Sequence, residues 1–430
     1  MPYAGGYFMR SRIVLLSLVL VLLAGPFLFA GGRGEQVDVN TITLGYNPFL
    51  SDSFTDAPPP IDVIRDVLAQ RYPDITLEYL TMPQDLLDSL VIWMTSQDTT
   101  VDIFGMDTPW VTQFGSAGWA VPLNDRMPDL DTRIATAGLE TFAYDGDWLA
   151  VPFWGSVTGL YYRTDLLEEY GFSAPESVME MVEIIETIRA DRPELAGLLW
   201  PGERGESLNM FYATLLHAFG GQYTDANGNY LFDSPESIRA VQFMRDTINN
   251  EWSPRAVQNW ERLESRQRFV SGDAIFSWDN HDIIVFLDNP ERSEVAGNWD
   301  LIPFPAEPEG RSVAITGGFA FAMNPFSAKL ENATRVLEVI SSEEVQRGFA
   351  LAWGPVQQYI GLYDDPVVQE YNPNSEKLGP LVDVALNRPP SRNYGELSAL
   401  MQEELNAAIT GTRSVEDALA NMQRRASALR

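Results

Sequence analysis

Apolar positions along this chain repeat with two alternating periods. Thr41-Ile42-Thr43-Leu44-Gly45-Tyr46 is short and rich in β-branched and apolar residues, which predicts a buried strand; Pro60 to Tyr72 follows with apolar residues at helical spacing. Ile75 to Leu80 reads as a strand, Pro83 to Ser96 as a helix, Val101 to Phe104 as a strand and Pro109 to Ala117 as a helix. That βαβαβα order predicts an α/β fold with a mostly parallel sheet and helices on both faces. A second set begins near Val151. Its helices fall at Pro175 to Asp191, Ser207 to Phe219, Ser234 to Asn249 and Glu261 to Ser271. Extended segments fall at Ala274 to Phe276, Trp299 to Pro303 and Ala314 to Met323. The tail from Ala328 is helical and ends in two amphipathic helices, Glu396 to Ile409 and Val415 to Leu429.

One stretch breaks both periods. Arg10 and Arg12 precede an uncharged apolar run, Ile13 to Ala30, and a Gly-rich break, Gly31 to Gly34, follows it. A basic start, an apolar middle and a small-residue end form an export signal, so 1–34 is assigned to targeting and the remainder to a periplasmic or extracellular location. The run is long enough to span a bilayer, so cleavage, the preferred reading, competes with an uncleaved anchor. Met9 offers an alternative start. With no cysteine in the chain, a thiol-linked lipid anchor, disulfides, thiol catalysis and thiolate metal sites are all excluded.

Length and charge narrow the picture further. A chain of 430 residues is long for one core and predicts two lobes. A net charge of −31 repels phosphate backbones and anionic membrane surfaces, which removes nucleic acid as a partner. No Walker A, G-x-S-x-G or H-E-x-x-H motif is present. His217 sits in an apolar helix, where a core or capping role fits; His281 lies beside Asp279 and Asp282 without further metal ligands in view. Asp225, Asn227, Asn229, Asp233 and Glu236 match calcium-loop positions, but Tyr230 stands where the sharp turn needs glycine. Asn227-Gly228 therefore predicts a hairpin. No cofactor and no metal are expected.

In an open α/β sheet a ligand lies beyond the carboxyl ends of the strands. Those ends carry Asn47, with Asp52 in the same loop, and Asp107, whose other reading is a cap for the helix at Pro109. Trp154, Trp278 (beside Asp279), Phe319 and Trp353 fall where the chain should return to a cleft. Flat aromatic faces with carboxylates and amides hold a sugar ring well, while core packing is the alternative for each tryptophan.

Several blocks carry a resemblance. Val101 to Leu123 (VDIFGMDTPWVTQFGSAGWAVPL), Tyr144 to Pro152, Gly159 to Leu167, Phe269 to Ala274, Thr316 to Phe319 and Ser414 to Leu419 resemble, in order, blocks of the extracellular solute-binding proteins of family 1, the sugar-binding components of ABC importers. The resemblance implies a two-lobed, periplasmic-binding-protein-like fold of type II, with 36–152 plus 317–352 as one lobe and 153–316 plus 353–430 as the other. Hinge segments would join them around a sugar. By position it makes Asp107 the cleft acid, Trp278 an aromatic that stacks on the ring, and Gly317, Gly318 and Phe319 the strand that recrosses the hinge. Trp154 and Ser156 match a region that carries an aromatic and an acid, with Gly155-Ser156 departing from the acid. The implied protein is a non-catalytic monomer that binds a sugar, of di- or oligosaccharide size, and hands it to membrane permease subunits. A sensing surface protein of the same fold and an exported carbohydrate-active enzyme remain as alternatives.

Overall fold

The first βαβαβα set folds as its periodicity requires. In the computed structural model, which describes residues 38–83, 86–354 and 356–429, β1 (Thr41–Tyr46), β2 (Thr76–Thr81) and β3 (Ile103–Asp107) pair in parallel in the order β2-β1-β3. Thr41 stands opposite Thr76, and Leu44 opposite Ile103. The leader and its Gly-rich break lie outside the described residues. Three later helices, Val178–Asp191, Pro235–Asn249 and Val415–Ser427, start at a capping serine. Ser177, Ser234 and Ser414 each accept a hydrogen bond from the backbone N–H three residues on, at 3.1, 3.2 and 3.1 Å.

The remainder of the sheet departs from the parallel expectation. After the hairpin β4 (Ala143–Tyr144) and β5 (Asp147–Trp148) comes β6, a strand of 14 residues from Ala150 to Arg163. With β7 (Ala196–Leu199), β8 (Ala274–Asn280), β9 (Trp299–Ile302), β10 (Ala314–Met323) and β11 (Ala385–Leu386), it completes the order β2-β1-β3-β10-β6-β8-β7. β11 lies beside β10, and β9 beside β6. β10 runs antiparallel to both β3 and β6, and β6 antiparallel to β8 and β9, so the sheet is mixed. The parallel expectation fails at β6 and β10, which cross between the two halves of the sheet and run opposite to their neighbours β3, β8 and β9 as well as to each other.

Buried apolar side chains gather in two large clusters. One contains Ile42, Leu44, Phe104, Val151, Phe153, Phe321, Val336 and Phe349. The other contains Leu160, Ile185, Trp200, Phe211, Phe276, Trp278, Leu405 and Met422. β6 and β10 pass from one cluster to the other side by side, with Thr316 opposite Val157 and Ala322 opposite Ala150. A third segment crosses with them, where Val356 N donates to Gly155 O at 3.0 Å. The polar turn at Asp225 is a hairpin: Gly228 N donates to Asp225 O at 2.9 Å, while the Asp225 carboxylate accepts from the backbone of Asn227 and Asn229 at 2.8 Å.

Candidate functional site

The sheet brings three of the candidate residues into one row. Phe319 on β10 pairs with Asp107 on β3 and with Trp154 on β6, and Gly317 pairs with Ser156. Gly318 has to be small here, because a Cβ on it would stand 2.7 Å from the Trp154 carbonyl oxygen. The Trp154 ring lies 5.8 Å from Phe319, 5.7 Å from Trp353 and 6.5 Å from the His281 ring.

Beside this row, charged groups from distant segments converge. Arg388 Nη2 donates to Asp107 Oδ1 at 2.6 Å, and Arg388 Nη1 donates to Glu206 Oε2 at 3.1 Å. Tyr394 OH donates to Glu206 Oε2 at 2.8 Å, and Ser398 Oγ donates to Glu206 Oε1. Asp107 ends a strand of the first cluster, while Glu206 opens the helix Glu206–Ala218 of the second. Arg388 therefore ties the two lobes together. Burial pushes the Asp107 carboxyl up, against the pull of Arg388. Burial also works against the Arg388 charge, but Asp107, Tyr394 and Glu206 outweigh it and hold the guanidinium well above its ordinary value.

Several buried polar atoms around this cluster have no hydrogen-bond partner. They include Trp154 Nε1, Arg388 Nε, Tyr223 OH, Asn209 Oδ1 and, at the end of β8, Asn280 Oδ1. Leaving such an atom unpaired costs on the order of 1–3 kcal/mol, so a concentration of them at one place calls for a polar ligand. Arg388 Nη2 and Ser156 Oγ lie together over Gly317, 3.4 and 3.0 Å from where its Cβ would stand. Donors, acceptors and the aromatic faces of Trp154 and Phe319 are thus contiguous.

The other candidates have different roles. Asn47 is buried, and its Oδ1 accepts from Phe49 N at 3.1 Å to cap the turn Pro48–Ser51. Asp52 is exposed, and its carbonyl accepts from Trp353 Nε1 at 2.9 Å. Trp353 is buried against Phe349 and Phe153. Trp278 has to be corrected. It is 1% exposed, its ring packs 5.3 Å from Phe211 and its Nε1 donates to Thr214 Oγ1 at 3.2 Å, so it faces a helix rather than a cleft. Asp279 needs the same correction: fully buried, it accepts from Arg266 Nη2 at 2.8 Å and Nε at 3.0 Å. Successive strand residues point to opposite faces, and both faces of β8 are covered. Asp107 makes no side-chain cap for the helical turn after it; its carboxylate is committed to Arg388. His217 is buried with Nδ1 2.9 Å from Gly221 O, at the end of its helix.

Arg388, Glu206, Tyr394 and Tyr223 escape the sequence reading. Arg388 and Asp107 are 281 residues apart, and no local spacing marks such a pair. Among the described residues no group of three or more His, Asp or Glu side chains converges to hold a metal. A separate depression of about 580 Å³ lies beside β7 and the start of β8, but Arg189 and Arg268 in its wall are already bonded to Leu195 O and Asp273.

Residues 55–347 match the family model described as bacterial extracellular solute-binding protein. A probable ABC transporter-binding protein of Deinococcus radiodurans is 23% identical over 348 residues, covering 78% of this chain and 82% of that protein. A mannitol-binding protein of Pseudomonas aeruginosa is 22% identical over 383 residues, covering 83% and 87%. Among solved structures, maltose-bound MalE3 of T. maritima superposes with a TM-score of 0.81 at 27% identity, covering 91% of this chain and 100% of that one. A ribitol-bound solute-binding protein of Agrobacterium radiobacter K84 gives a TM-score of 0.79 at 20% identity, covering 91% and 98%. The architecture is thus the two-lobed, type II periplasmic-binding-protein fold, and the chain belongs to the bacterial extracellular solute-binding protein family.

Proposed function

We propose that this protein captures a carbohydrate or polyol between its two lobes, without catalysis, and delivers it to the membrane permease of an ABC importer. The observation that carries the reading is the inter-lobe cluster in which Arg388 Nε and Tyr223 OH are buried without partners near Glu206, while Trp154 Nε1, also unpartnered, and the Phe319 ring lie on the strands alongside. A polyhydroxylated ligand satisfies such a site on both counts, with hydroxyls for the orphaned polar atoms and C–H faces for the rings. Relatives named for mannitol, maltose and ribitol support the ligand class. The lobes on this reading are 36–152 with 317–352 and 153–316 with 353–430, and a ligand touching both favours the closed arrangement. The basic-then-apolar leader supports export, and among the described residues no helix is long and apolar enough to cross a membrane.

A thermal-shift screen of the purified protein against polyols and mono-, di- and oligosaccharides, with amino acids as controls, tests this. A ligand at 100 times its Kd adds about 2.7 kcal/mol of stability. A response confined to one sugar or polyol class, abolished by Trp154→Ala together with Asp107→Asn, supports the proposal. A response only to amino acids overturns the carbohydrate assignment.

A further inference from the structure

Two carboxylates and a single guanidinium meet where the lobes join. Asp107 and Glu206 share Arg388. The ion pairs on the neighbouring side balance among themselves: Arg266 holds Asp279 and Asp282, and Arg262 lies 3.5 Å from Asp282. His281, next to them, is kept neutral by burial and by Arg262 and Arg266, which outweigh Asp282 and the backbone of Gly354 and hold it down at about 4. Among these groups the carboxylates, Asp107, Glu206, Asp279 and Asp282, therefore outnumber the guanidiniums, Arg262, Arg266 and Arg388, by one. The two acids also differ in access, because the Glu206 side chain is 36% exposed and that of Asp107 only 10%.

We infer that Glu206 sets the charge selectivity of the cleft, which admits uncharged and amine-bearing polyols and rejects their anionic counterparts, uronates and sugar phosphates. A hydroxyl donates to the Glu206 carboxylate as readily as Tyr394 and Ser398 do, and an ammonium group supplies the missing positive charge. A ligand carboxylate or phosphate instead meets a like charge in a partly desolvated place, where repulsion is weakly screened. Arg388 offers an anion little beyond its unpartnered Nε–H, because its terminal nitrogens are engaged by Glu206 and Asp107 and its single positive charge is shared between those two carboxylates. This inference rests on reading the cluster as the ligand site, and it fixes the charge class of what that site takes.

The test is calorimetry at near-neutral pH with matched triads: glucose, glucosamine and glucuronate, then the galactose and mannose sets, then lysine, leucine and glutamate. In every triad that binds, the anionic member should be at least about tenfold weaker than the neutral one, which is about 1.4 kcal/mol, and the amine no weaker. Glu206→Gln retains an acceptor for Tyr394 and Ser398 and should shrink that gap to about threefold or less, while Glu206→Asp should restore it. A uronate that binds as tightly as its neutral partner overturns the inference and leaves the carbohydrate reading standing. The wild-type comparison decides this whether or not the variants fold. Binding confined to the amino-acid triad, in the order lysine, leucine, glutamate, keeps the inference and removes the carbohydrate reading. The reverse order removes both.

Discussion

Two tryptophan–aspartate combinations sit on strands of the central sheet, and they differ in how completely they are satisfied. Trp278 and Asp279 on β8 have every need met from within: the indole N–H has Thr214, and the carboxylate has two nitrogens of Arg266. Trp154 on β6 and Asp107 on β3 do not. The Trp154 N–H has no partner, and Asp107 and Glu206 share the one guanidinium of Arg388, whereas Asp279 and Asp282, which share Arg266, also have Arg262 beside them. Residue type and burial are nearly the same in both places. What separates core from candidate site is the balance of hydrogen bonds and charge.

Breaking the satisfied side should cost the most. Arg266→Met strands Asp279 and Asp282 as buried charges, and removing one partner of such a network costs about 3–5 kcal/mol, readable as a large drop in the denaturant midpoint. Trp278→Ala should fall at or just below that, about 3–5 kcal/mol, because it opens a cavity against Phe211 and removes the indole donor to Thr214. Neither loss should depend on added ligand.

Acid offers an intermediate lever. His217 and His281, the two histidines of the chain, are both pushed down to about 4 by burial first of all. Between the ordinary value of 6.5 and 4 the unfolded chain binds protons that the folded chain does not. Stability is therefore full above that window and falls as pH drops through it, by up to about 1.4 kcal/mol per pH unit for each histidine. Denaturant midpoints measured across the window, with His217→Gln and His281→Gln each removing part of the slope, check the sign.

On the unsatisfied side the smallest stability change goes with a functional one. Trp154→Phe removes a donor that has no partner in the protein, so stability should shift by less than about 1 kcal/mol. Affinity for the ligand found in the thermal screen should nonetheless fall about three- to tenfold, the worth of one hydrogen bond. If Trp154→Phe destabilises as much as Trp278→Ala, the contrast between the two regions collapses.

The elements were largely legible in the chain, because local periodicity and caps determine them. β1 spans Thr41–Tyr46 as its pattern predicts, and the helices at Ser234 and Ser414 begin where a serine can cap them. The site was legible only in part. Asp107, Trp154 and Phe319 lie on adjacent strands; the strand-end position of Asp107 and the block resemblance around all three mark them. Trp278 and Asp279 misled because a strand with both faces covered looks, in sequence, like one whose end opens on a cleft. Glu206 and Arg388 stayed hidden because nothing local constrains them; only tertiary folding brings them to Asp107.

The antiparallel seam between β3 and β10 also dictates an order of events. Phe319 pairs with Asp107 across more than two hundred residues of intervening chain, and the second hydrophobic cluster is built mostly from what lies between. As the polypeptide emerges from its N-terminus, the first sheet is left with an open edge at β3 until almost three quarters of the chain has been made. The inserted cluster is better placed to collapse first, and the earlier-made half must wait for its closing strand, the slow long-range step in such topologies. A chain held back in this way stays threadable for longer, which suits the export proposed for this protein.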